Sequence, residues 1–139
     1  RQANRPEIIE EVEETLRREL PDLWVRRALE RGDVDLAAER WFEIEEHARA
    51  RHVADELMEA SEGGEIELII SCRMAKVTYL IGRSTRRHYR QACTVLRKLR
   101  DELRRAGGGE FWQHVLEDLQ REYSNRPALL DELSRADFI

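Results

Sequence analysis

Cysteine is nearly missing from this chain: Cys72 and Cys93 are its only two in 139 residues. Two cannot build a disulfide framework, and both fall on apolar stripes, so they read as buried thiols suited to a reducing, cytoplasmic compartment. Proline is almost as scarce, and Pro6, Pro21 and Pro127 each stand where a helix can begin or end. Long apolar runs are missing too. The most hydrophobic stretch, Ile66 to Ile81, carries Glu67, Arg73 and Lys76, which excludes a membrane span there. The opening RQANRPEIIEE is polar and acidic, unlike a signal peptide, and a start on Arg rather than Met predicts a piece of a longer protein.

The motifs of common chemistries are equally absent. There is no Gly-x-Ser-x-Gly, no P-loop and no His-Glu-x-x-His. A di-metal helix bundle needs Glu-x-x-His pairs, but Ile44, Arg49, Thr85 and Phe111 stand three residues before His47, His52, His88 and His114. His88 and Cys93 are five apart on one helix and point away from each other, which excludes a thiolate pair. Gly107 to Gly109 precede a helix but lack a strand before them and a Lys-Ser/Thr after them, so they read as a turn. The sequence therefore predicts no catalytic residues, no metal and no cofactor.

What is present is charge laid over helical periodicity. Charged residues make up 38% and apolar ones 41%, with the apolar residues in helical register. The pattern predicts an all-α fold, an antiparallel bundle or helical-repeat array of six to eight helices, as one domain over residues 1–139. A first helix runs from Asn4 to Leu20, with Asn4 and Glu7 as a capping box and Ile8, Ile9, Val12, Leu16 and Leu20 as its buried stripe. Asp22 caps a second, Leu23 to Arg31, with Trp24, Val25, Ala28 and Leu29 inward and Gly32 in the left-handed position after it. Asp33 or Asp35 starts a third, with Leu36, Ala37, Trp41 and Ile44 in register. It breaks near His47 to Ala50, and a fourth carries Val53, Ala54, Leu57 and Met58 to a stop at Gly63 and Gly64.

Glu65 to Ile81 reads as the central buried helix. Its β-branched content raises a strand alternative for Ile66 to Ser71, but alternation fails at Leu68, Ile69 and Ile70. Gly82 ends it, and Ser84 or Thr85 caps the next. Later helices carry Phe111, Trp112, Val115, Leu116, Leu119 and Tyr123, then Ala128, Leu129, Leu130 and Leu133.

The candidate functional stretch lies between Gly82 and Gly107. Tyr89, Ala92, Cys93, Leu96, Leu99 and Leu103 form its apolar stripe, and from Arg83 to Arg105 nine Lys or Arg face two acidic residues, a local +7 in a chain of net -5. Arg83, Arg86, Arg87, Arg90, Arg97 and Lys98 are the candidate contacts for a polyanion or a partner. Two uses compete. Residues 1–64 carry a net -8 and residues 65–139 a net +3, so acidic helices of the first half can neutralise these arginines; left exposed and unpaired, they would contact nucleic acid. The acidic clusters around Glu10 to Glu14 and Glu43 to Glu46 read as solvated faces, and Trp24, Trp41 and Trp112 as core anchors.

The stretch from RALERGDVDLAAERWFEIEE onward resembles tetratricopeptide-like helix-hairpin repeats, without a demonstrable 34-residue period. A second resemblance covers Val77 to Phe138. YLIGRSTRRHYRQACTVLRKLRDEL, the glycine turn, FWQHVLEDLQREY and NRPALLDELSRADF resemble the C-terminal helical region of bacterial and archaeal SWIM zinc-finger proteins. That resemblance implies a helical module of a protein that binds protein or nucleic-acid partners. The zinc motif itself, CxCx(n)CxH, is absent from this chain, so the resemblance carries no zinc ligand over. The expected function is a non-catalytic protein-interaction or scaffold module, with nucleic-acid binding through Arg83 to Arg105 as the alternative.

Overall fold

Eight α-helices and one 3-10 turn make up the regular structure of the computed structural model, which describes residues 5–61 and 64–139, with no strand among them. The chain is all-helical. Its contacts gather into two compact units, Arg1–Ser61 and Glu62–Ile139, each with its own hub helix. Asn4 and Gly63, assigned above to a cap and a helix stop, lie outside the described residues.

The first unit holds α1 (Arg5–Glu19), α2 (Pro21–Glu30), α3 (Val34–Glu43), the 3-10 turn Glu46–Ala48 and α4 (Arg51–Ser61). Its hub is α2, which packs against α1, α3 and α4. Pro21 opens α2 at its first position, where no backbone donor is needed, so Asp22 lies inside the first turn rather than capping it. Gly32 (φ +75°) then turns the chain: its N–H donates to Leu29 O at 2.9 Å and that of Asp33 to Ala28 O at 3.0 Å. Asp33 caps α3 by accepting from Leu36 N–H at 3.1 Å. The expected break falls at the 3-10 turn, and Trp41, Val53, Ala54, Leu57 and Met58 are buried.

The stripe of α1 departs from expectation. Leu16 is buried, but Ile8, Ile9 and Val12 are 45%, 55% and 43% exposed, and Leu20 is exposed as well. The reason is reach: α1 packs chiefly against α2, and Leu16, in its last turns, is the stripe residue so covered. A polar tie reinforces that contact. Glu13 takes Arg31 at 3.0 Å and Arg40 at 3.1 Å, while buried Arg40 donates to Trp24 O at 2.7 Å and lies 4.9 Å over the Trp24 ring.

The second unit holds α5 (Ile66–Gly82), α6 (Arg86–Arg105), α7 (Gly109–Glu122) and α8 (Pro127–Arg135). Its hub is α6, packed most extensively on α5 and also on α7 and α8. All six apolar residues assigned to α6 are buried. Ile66 to Ser71 is helix, not strand, and α5 buries Leu68, Ile69, Cys72, Val77, Leu80 and Ile81. Gly82 is the last helical residue, while the left-handed step falls on Ser84 (φ +58°). Thr85 is the cap of α6, its side chain accepting from His88 N–H at 3.2 Å. Thr85→Ala should therefore lower stability by about 1 kcal/mol, read as a shift in the thermal midpoint.

After α6, Gly107 (φ +77°) takes the left-handed position, and the N–H of Gly108 donates to Leu103 O at 2.7 Å. Gly108 is also a close approach: a Cβ there would lie 2.7 Å from Ile66 Cδ1. In α7, Val115, Leu116 and Leu119 are buried but Phe111 is 40% exposed, being at the first turn. Trp112 meets Phe138 edge-on, with ring centroids 5.3 Å apart.

Candidate functional site

Each helical residue turns the chain about 100°, so Arg86, Arg97 and Arg90 share an arc of about 40° on α6, with Arg87 and Lys98 about 60–80° further round. The first three, beside the buried stripe, face α8. Arg86, Arg90, Arg97 and Cys93 of α6 line one side of a cleft of about 490 Å³, with Glu132 and Arg135 of α8 on the other. Local capping fixes the entry to this helix. Arg126, the residue before α8, donates to Ile81 O and Ser84 Oγ, both at 3.0 Å, and so holds the turn from which α6 starts.

Burying an ionised carboxylate is costly unless it is paired. Glu132 is 5% exposed, and Arg86 and Arg90 approach it at 3.5 and 3.7 Å. Arg86 also donates directly to Asp131, which Arg135 takes at 3.1 Å. The hydrogen bond from Arg86, with help from Arg135, holds the Asp131 carboxyl below its usual range, and Asp131 raises Arg86 in return.

The candidate residues therefore divide. Arg86 and Arg90 are engaged by α8. Arg97 has no carboxylate partner among the described residues and lies 5.7 Å from the Phe138 ring. Exposed Arg83, Arg87 and Lys98 have no side-chain partner among the described residues. The charge asymmetry of the sequence points to the first and third helices for partners; those that Arg86 and Arg90 have lie on α8, within the same unit. Sequence reasoning missed Asp131, Glu132 and Arg135, because α8 reads as an apolar stripe. The signal was the adjacent Asp-Glu pair in that stripe, on a helix that must pack near the basic one.

Cys93 lines the α6 side of the cleft. Burial, reinforced by the negative charge of Glu132 and opposed by Arg97, pushes its thiol up to about 11. Cys72 is buried and free as well. At pH 8 a thiol reagent should leave both unlabelled in the folded protein and label both in urea, with native Cys93 gaining reactivity only as the pH approaches 11. Rapid labelling of the folded chain at pH 8 would contradict this burial.

A second concavity, of about 460 Å³, lies beside α1 in the first unit, where Ile9 and Trp24 form an apolar floor edged by Glu10, Glu13, Glu14 and Arg17. Among the described residues, no three His, Cys, Asp or Glu come together to hold a metal ion, and no helix is long and apolar enough to cross a membrane. No family model matches the chain, and no curated protein or solved structure is significantly similar to it.

Proposed function

We propose that the chain is a non-catalytic protein-interaction module, the helical part of a SWIM zinc-finger-type protein working in a reducing, cytoplasmic compartment. The observation that supports this most is the uncovered stripe of α1. Ile8, Ile9 and Val12 fall within an arc of about 100° and are all exposed. Apolar residues in register on one exposed helix face are the usual ground for a protein partner, and the adjoining Trp24 cavity gives an anchor side chain somewhere to enter. The buried free thiols fit a reducing compartment.

The test is Ile9→Glu. It should leave the unfolding free energy within about 0.5 kcal/mol of the parent, since the site is exposed. It should also abolish retention of the partner by an immobilised chain. If parent and variant retain the same proteins, α1 is not the docking face and the reading fails. A second reading, nucleic-acid contact, is favoured by exposed Arg83 just before α6 and Arg87 and Lys98 on it, none with a side-chain partner among the described residues. A gel shift at low salt that shows no retention of DNA or RNA would remove it.

A further inference from the structure

Four guanidiniums converge on the α6–α8 cleft while two carboxylates answer them. Arg86, Arg90, Arg97, Arg135 and Glu132 line it, and Asp131 pairs with Arg86 and Arg135, which leaves a local charge of +2. Were the cluster only a structural network, the charges should close on themselves. They do not, because Arg97 reaches no carboxylate among the described residues and lies over the Phe138 ring instead. Glu132 is buried and pairs with two of the arginines, so it holds their guanidiniums in place beside the cleft. The cavity, about 490 Å³, has the size of a small-molecule site.

We propose that this cleft binds a phosphate monoester in its dianionic form, with the phosphoryl oxygens held by Arg90 and Arg97 and the organic group directed toward Cys93 and Ala136. Guanidinium is the side chain suited to bidentate phosphate recognition, and a monoester carries about -1.5 to -2 near pH 7, matching the +2 of the cleft. A phosphodiester brings only one charge per phosphate and fits this balance less well. Neutral Cys93 adds no competing anion. The proposal rests on the second unit alone and is independent of α1 as a docking face.

The probes are phenyl phosphate and its methyl diester, titrated into the full chain at pH 7.5 and followed by NMR. The monoester should bind saturably, with shifts confined to α6 and α8, and at least about tenfold more tightly than the diester. Arg90→Gln and Arg97→Gln, both at exposed sites whose folding circular dichroism can verify, should each weaken it about tenfold. Asp131→Asn, which removes the carboxylate competing for Arg86 and Arg135, should tighten it a few-fold. Equal affinity for monoester and diester, an unsaturable response, or arginine variants that bind like the parent would each overturn the proposal. So would a single-stranded oligonucleotide that displaces phenyl phosphate at equal phosphate concentration, since it would mark a nucleic-acid surface.

Discussion

Glu102→Ala is expected to cost about 3 kcal/mol, at the lower end of the range for breaking a buried ion pair. The Glu102 carboxylate receives both arms of the Arg73 fork, Nε at 2.7 Å and Nη2 at 2.9 Å, in the contact between α5 and α6. The two side chains are only 10% and 14% exposed. Truncating the glutamate removes both hydrogen bonds and the counter-charge that it gives Arg73 in a desolvated seam. Urea unfolding should show the midpoint falling by between about 1 and 3 M with little change in slope. The companion experiment is the Arg73→Met, Glu102→Met double variant. Removing both charges while keeping apolar volume should cost no more than about 1 kcal/mol, because a buried pair gains little over well-packed hydrocarbon. A double variant as unstable as Glu102→Ala would show that the pair stabilises the seam in its own right.

Leu99→Ala should cost a similar amount, about 3 kcal/mol within the range of 2–5 for a buried leucine. Leu99 is fully buried on α6, the helix that meets α5, α7 and α8, so the walls of the cavity belong to several elements and cannot all relax inward. Val12→Ala on α1 supplies the contrast. That valine is 43% exposed, and its truncation should change stability by no more than about 0.5 kcal/mol. If both substitutions prove equally costly, the stripe of α1 is covered in solution and cannot serve as a docking face.

These variants sit on opposite sides of what could be read from the chain. The stripe of α6 was legible because Tyr89, Ala92, Cys93, Leu96, Leu99 and Leu103 repeat at the helical period between two turns, and a helix surrounded by others must bury such a stripe. The same period on α1 misled. Periodicity states which residues share a face, whereas burial depends on whether another element covers that face, and at Ile8, Ile9 and Val12 none does. Turn chemistry was legible where geometry left one solution, as at Gly32 and Gly107. Gly82 likewise ends α5 as its place in the sequence suggests, whereas the left-handed step at Ser84 was not read from the chain.

The candidate site shows the same division. That Arg86, Arg90 and Arg97 share one side of a helix follows from spacing alone. That Arg86 and Arg90 lean on Glu132, and that Arg97 meets no carboxylate among the described residues, depends on α8 lying beside α6, about 45 residues along the chain. By itself the sequence determined an all-helical chain, the helix ends set by local hydrogen bonding, and the face on which each side chain emerges, because these depend on neighbours within a few residues. Only the tertiary structure decided which apolar face is covered, which charges are paired and where a cleft opens. Those are settled by contacts between elements far apart in the chain, and periodicity carries no information about them.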